Sequence, residues 1–232
     1  MNDRKVVLIS GAGRGIGAAA ARAFAEAGWS VSFGMRTPEL PQWADPSHHQ
    51  AIAYDATDNE SGTRWAQEAM ARFGRIDAVI ANAGISIPKT IIDAENDDID
   101  ALLTVNVKAP RQLVKAAWEP LGKSGQGRVI IIGSLSGKRV KSARSGAYSV
   151  SKFAAVGLAH AIRHAGFDLG IRATAVCPGF VATDMARALT DRHEALMTSP
   201  DDLARIILML VSLPNEASVA EFAINCQLEE SF

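Results

Sequence analysis

The stretch KVVLISGAGRGIGAAAARAFAEAG, residues 5–28, decides the fold. Its first residues, Lys5 to Ser10, make a short apolar run, and its last ones make an alanine-rich helical pattern that stops at Gly28, where a helix C-cap belongs. Between them glycines fall at 11, 13, 15 and 17. The spacing G-x-G-x-x-G fails because position 16 is Ile16. Gly11, Gly15 and Gly17 instead form G-x-x-x-G-x-G. The physical demand is the same: a tight turn, close approach of backbone to a pyrophosphate, and a helix N-terminus aimed at the anion. A strand, a glycine turn and a helix in that order predict a dinucleotide-binding unit.

Outward from this unit, short apolar runs alternate with helical patterns. Residues 5–10, 29–35, 50–54, 76–82, 128–134, 171–177 and 220–225 read as strands. They lack strict alternation, as expected of strands covered on both faces. Helical patterns occupy 16–27, 60–73, 96–118, 148–166 and 201–212, with Gly74 at a second C-cap position. This order predicts an α/β fold, a doubly wound parallel sheet (Rossmann fold) of about seven strands with helices on both faces. No linker or repeat divides residues 1–232, so one domain is expected. Two segments break the pattern: 36–49, a loop with three prolines, and 178–200, which opens with Pro-Gly. Long irregular insertions of this kind are commonly binding loops or lids.

Composition narrows the partners. A formal net charge of −1 over 232 residues gives no reason to expect nucleic acid or an anionic membrane. No apolar run is long enough to cross a bilayer, and MNDRKVVLIS lacks the h-region of a secretory signal. Cys177 and Cys226 show no CxxC spacing, so no zinc site or disulfide framework is expected, and they read as two buried thiols in a reducing cytoplasm.

The end of the second strand bears on the cofactor. An acidic residue that would hold a ribose 2′-hydroxyl is missing; Met35 stands there, followed by Arg36. A guanidinium binds a 2′-phosphate bidentately, and Arg14 inside the glycine loop adds a second positive charge. NADP(H) is therefore expected over NAD(H), with NAD(H) remaining possible.

The stretch SGAYSVSKFAAV, residues 145–156, holds one of two tyrosines in the chain, with a lysine four positions on. Helical i,i+4 spacing puts Tyr148 and Lys152 on one face. A free phenol, with pKa about 10, holds its proton too tightly for efficient transfer near neutrality, and a neighbouring ammonium lowers that value. Tyr148 is thus a candidate general acid/base.

With these motifs in order, nearly the whole chain resembles the short-chain dehydrogenase/reductase family. SGAGRGIG, including Ile16, is similar to its cofactor loop. YDATD resembles its adenine-contacting segment, with Asp55 and Ala56, and ANAG its fourth-strand motif, with Asn82, Ala83 and Gly84. CPGFVATDM, with Pro178, Gly179, Val181 and Thr183, resembles the segment that closes over nicotinamide. The resemblance implies an oxidoreductase moving a hydride between NADP(H) and a carbonyl or alcohol substrate. It also implies that Lys152 binds the nicotinamide ribose, that Ser134 in GSLSG holds the substrate oxygen, and that Asn106 in TVNVKAP holds a water linking Lys152 to solvent. Ser136, two residues on in a strand-end geometry, would point the same way as Ser134 and line the substrate pocket. A homodimer or homotetramer is implied by the family alone.

Some features stay open. Lys138, Arg139, Lys141 and Arg144 form a basic loop that is either solvated or borders the mouth of a pocket for an anionic substrate. His160 and His164, spaced i,i+4 without an accompanying carboxylate, read as an exposed or interface pair. The acidic run 93–100 suits a helix start. The C-terminal stretch ASVAEFAINCQLEESF departs from the glycine-rich tail of many family members. Two rival functions use the same fold: a non-catalytic dinucleotide sensor or scaffold, and a sugar-nucleotide epimerase or dehydratase. The complete Asn106, Ser134, Tyr148 and Lys152 set disfavours the first, and the short stretch after Pro178 disfavours the second.

Overall fold

Every expected strand forms, and the seven pair in parallel in the order β3-β2-β1-β4-β5-β6-β7. The computed structural model describes residues 4–228, so the first three residues of MNDRKVVLIS and the last four of the atypical C-terminal stretch lie outside the described residues. The strands are β1 (Val6–Ser10), β2 (Ser30–Met35), β3 (His49–Ala53), β4 (Ala78–Ala81), β5 (Arg128–Ile132), β6 (Arg172–Pro178) and β7 (Glu221–Ile224). The strand order reverses between β1 and β4, which places the switch point of the sheet beside the glycine loop.

The missing alternation has a plain cause: both faces of the sheet are covered. Val6 and Leu8 pack on one side, Val7 and Ile9 on the other. Val129 and Ile131 likewise oppose Ile130 and Ile132. The first face is covered by α2 (Ser61–Phe73), α4 (Ala109–Ala116) and α6 (Gly146–Gly166), the second by α1 (Gly15–Glu26) and α8 (Pro200–Ser212). Gly74 ends α2 at φ 75°, a left-handed turn that L side chains rarely adopt.

The helix expected over 96–118 is broken. It runs as α3 (Asn96–Leu103), a π-turn (Thr104–Lys108), α4, and then α5 (Trp118–Lys123). Pro110 supplies the reason: it has no N–H to give the carbonyl four residues back, which belongs to Asn106. The helix widens there, and π-turns of this kind often mark functional positions. The acidic run behaves as expected, Glu95 and Asp98 forming a capping box at the start of α3.

Segment 178–200 folds into a strap. Val181 is buried and bridges Thr198, and Thr198 N–H donates to the Phe180 carbonyl at 3.1 Å. A short helix, α7 (Asp184–Arg187), starts at Thr183, whose side chain accepts from Ala186 N–H. No helix among the described residues is long and apolar enough to cross a membrane.

Candidate active site

The glycine cradle is assembled from β1, β4 and the start of α1. Gly11 and Gly15 hold φ of 67° and 56°. A Cβ on Gly17 would lie 2.3 Å from the Gly11 carbonyl oxygen, so only glycine lets α1 begin this close to the loop. Ser10 and Asn82 tie the two strand ends together. Asn82 and Ala83 N–H both donate to Ser10 Oγ at 3.0 Å, and Asn82 Nδ2 donates to the Ser10 and Gly11 carbonyls at 3.0 and 3.2 Å. Asn82 therefore shapes the loop. Ile16 packs its side chain toward the core under α1, so its backbone is the part suited to an anion. These features fit a dinucleotide pyrophosphate: left-handed glycines, a backbone that no Cβ obstructs, and a helix N-terminus.

The two arginines behave differently. Arg36 is exposed and lies near Asp55, helping to lower its carboxyl below the usual range. The larger effect on Asp55 comes from Thr57, whose N–H and hydroxyl both donate to it at 2.8 Å. Ala56 sits in the same turn, half-buried. Arg14 is exposed but paired: its Nη1 lies 2.8 Å from Asp184 Oδ2 on the strap. Thr183 presses on the same loop, since a Cβ on Gly15 would come within 3.1 Å of its methyl group. Pro178 and Gly179 are pinned by β7, with Gly179 N–H donating to the Ile224 carbonyl at 2.8 Å.

The structure brings Ser134, Tyr148, Lys152 and Asn106 together at the C-terminal ends of β4 and β5. Tyr148 is half-buried at the start of α6, with Ser134 near enough to its phenol to affect its acidity. Lys152 is buried, with Nζ 5.7 Å from the Tyr148 ring centre and donating to the Ile132 carbonyl at 2.8 Å. The expected acidification of the phenol by this ammonium is corrected here. Burial pushes Tyr148 up to about 12, with Ser134 pulling it part of the way back, and the same burial pushes Lys152 down to about 8. Desolvation disfavours both charged forms, and the ammonium is turned toward the carbonyl.

Asn106 lies next to this pair. Its buried side chain is fully engaged: Oδ1 accepts from Ile85 N–H at 2.9 Å, and Nδ2 donates to the Ile85 carbonyl and to Ser151 Oγ, each at 3.0 Å. Ser151 in turn donates to the Tyr148 carbonyl at 2.7 Å. The Asn106 side chain thus braces α6 through Ser151. Gly84 lies against both Asn106 and Lys152, a Cβ there falling 3.2 Å from Asn106 Oδ1. The expected common direction of Ser134 and Ser136 does not follow, because β5 ends at Ile132. The next residues form a 3-10 turn, in which Ser134 Oγ accepts from Ser136 N–H at 3.1 Å.

Other residues at this site carried no local signal in the sequence. Lys138, expected in a solvated or substrate-facing loop, forms an ion pair with Glu221 on β7. His160, expected to be exposed or at an interface, is hydrogen-bonded to the other oxygen of Glu221 at 2.6 Å. Glu221 comes from the atypical C-terminal stretch and bridges the Ser134 turn to α6. Lys141 and Arg144 are exposed. Cys177 is buried under Gly133, and its thiol is pushed up by burial and pulled back by the Ser134 N–H; Cys226 is only partly buried. A groove of about 440 Å³ runs along α1 and the strap, on the phosphate-loop side rather than at Tyr148.

Comparison with known proteins agrees with this geometry. Residues 5–194 match the family model described as short chain dehydrogenase. The chain is 35% identical over 234 residues to an agropine synthesis reductase of Rhizobium rhizogenes, covering 99% of this chain but spanning only 54% of that protein's length. It is 30% identical to the oxidoreductase UcpA of Escherichia coli O157:H7, covering 98% of this chain and 89% of that one. Among solved structures, an alcohol dehydrogenase from Thermococcus sibiricus, complexed with 5-hydroxy-NADP, superposes with a TM-score of 0.85, at 25% identity and 96% coverage of each chain. The glycine cradle, the tyrosine–lysine helix and these matches together place the chain in the short-chain dehydrogenase/reductase family.

Proposed function

We propose that the protein is an NADP(H)-dependent oxidoreductase that reduces a carbonyl to an alcohol, with Tyr148 as the proton donor. The observation that carries this reading is the grouping of Ser134, Tyr148 and buried Lys152, whose Nζ lies 5.7 Å from the Tyr148 ring centre, at the end of the sheet that holds the glycine cradle. Gly11, Gly15, Gly17, Asn82 and Ala83 shape the pyrophosphate site, and Arg14 and Arg36 supply the charges suited to a 2′-phosphate. NADPH, when bound, supplies the hydride. Ser134 holds the substrate oxygen, and Tyr148 gives that oxygen its proton as negative charge develops. Burial keeps the phenol protonated, and negative charge developing on the substrate oxygen is what draws that proton across. Oxidation needs the phenolate instead, which the same burial disfavours. Lys152 keeps a cationic donor beside the ring, and Asn106 and Ser151 fix the turn of α6 that carries Tyr148. The relatives named as reductases support the reaction class, and the substrate within it is open to a screen.

The test is NADPH oxidation across aldehydes, ketones, acyl thioesters and sugars, repeated with NADH. The proposal expects turnover on at least one carbonyl class, with NADPH more efficient than NADH. No NADPH-linked turnover on any class would return the protein to a dinucleotide sensor, and NADH equal to or better than NADPH would overturn the cofactor assignment.

A further inference from the structure

We propose that Asp184 sets the cofactor preference by competing, from within the chain, with a 2′-phosphate for Arg14. This rests on the NADP(H) reading above. Arg14 stands between Gly13 and Gly15 in the phosphate loop, yet its guanidinium is held by Asp184 at 2.8 Å, from 170 positions away in the chain. Asp184 has a second cation: its Oδ1 lies 2.5 Å from Arg187 Nη2, and Arg187 Nη1 lies 2.5 Å from Glu194. Its carboxyl is held below the usual range by Arg187 first and Arg14 second.

The second cation makes an exchange inexpensive. When Arg14 turns to a phosphate, Asp184 keeps Arg187, so no carboxylate is left without a partner. Both members of the pair are well exposed, at 76% and 51%, and the groove beside them opens the pair to solvent. Exposed pairs of this kind are weak and readily exchanged. Before the exchange Asp184 occupies Arg14, and after it the carboxylate remains as a nearby like charge. Both effects weaken binding of a 2′-phosphorylated nucleotide and leave one without that group little changed. Asp184 also belongs to the strap, and Thr183 packs on Gly15. Release of Arg14 therefore loosens the contact between strap and loop when the cofactor arrives.

The experiment measures calorimetric binding of 2′,5′-ADP and of 5′-ADP to the intact protein, in the wild type, Asp184→Asn, Arg14→Ala and the double variant. Asp184→Asn should tighten 2′,5′-ADP about two- to fivefold while moving 5′-ADP little, as expected for an exposed pair. In the Arg14→Ala background the gain should shrink to the smaller part that the like charge alone contributes. An Asp184→Asn protein with unchanged 2′,5′-ADP affinity overturns the proposal, as does an equal gain with and without Arg14, which would mean long-range charge and not competition. If Arg14→Ala leaves the ratio of the two affinities unaltered, the NADP(H) reading fails at this residue and the competition fails with it. If Arg14→Ala lowers that ratio while Asp184→Asn does nothing, only the competition fails. Melting curves of each variant, with Asp184→Ser as a second replacement, show whether the strap has stayed folded.

Discussion

Lys152 reaches past the phenol of its helix neighbour and donates to the backbone carbonyl of Ile132, 2.8 Å away. An ammonium expected to acidify Tyr148 is anchored instead to the last residue of β5. Burial then governs both groups, moving the phenol up to about 12 and the ammonium down to about 8.

This has a consequence for stability in protein without added cofactor. The unfolded chain keeps a lysine charged to about pH 10.4, whereas buried Lys152 gives up its proton near 8. Between those values the unfolded state binds more protons, so stability rises with pH. Above about pH 10 an unfolded tyrosine ionises while Tyr148 holds its proton, and stability falls. Melting temperatures from pH 7 to 11 should show the gain in wild type and lose it in Lys152→Met. An identical gain in both would show that Lys152 is not the group responsible.

Gly17→Ala separates two opposed effects. Helix propensity alone favours alanine by about 1 kcal/mol. The Cβ, however, would lie 2.3 Å from the Gly11 carbonyl oxygen, closer than real contacts allow. Net destabilisation and weakened 5′-ADP binding are expected. A variant that melts higher and binds normally would mean that the loop can yield.

Much of this was legible in the sequence, and the boundary is physical. Runs such as Val6–Ile9 marked the strands because both faces are covered, and Gly11, Gly15 and Gly17 marked the loop because backbone crowding admits nothing larger. Tyr148 and Lys152 share a helix turn, so their adjacency could be read from spacing. The π-turn had a signal as well, Pro110 four residues after Asn106, which a helical pattern alone overlooks. Glu221 was not legible, since its partners Lys138 and His160 lie 83 and 61 positions away. Nor was the direction of the Tyr148 shift, because desolvation depends on what the fold packs around the ring.

Glu221→Ala should cost about 1–2 kcal/mol by urea unfolding, since it removes charged hydrogen bonds from a partly buried site. Lys138 and His160 hold the Glu221 carboxyl below its usual range, so the contribution is present above the ordinary carboxylate value and lost as pH falls through the lowered one. A double-mutant cycle with Lys138→Met should show coupling between the two positions, and strict additivity would count against a shared bridge.

Asn106→Ala should destabilise by about 1–3 kcal/mol, because partly buried backbone groups of Ile85 lose their partners. Urea midpoints measure the cost. A loss below 0.5 kcal/mol, roughly the scale of an ordinary surface change, would contradict a bracing role.

The most direct test of the account compares Tyr148→Phe with wild type in two measurements on the same preparation, NADPH-linked turnover of an accepted carbonyl and NADPH binding by titration. Loss of a general acid should lower turnover by about 10²–10⁴-fold while NADPH affinity stays close to wild type. Turnover retained in the phenylalanine variant would contradict the assignment of Tyr148 as proton donor.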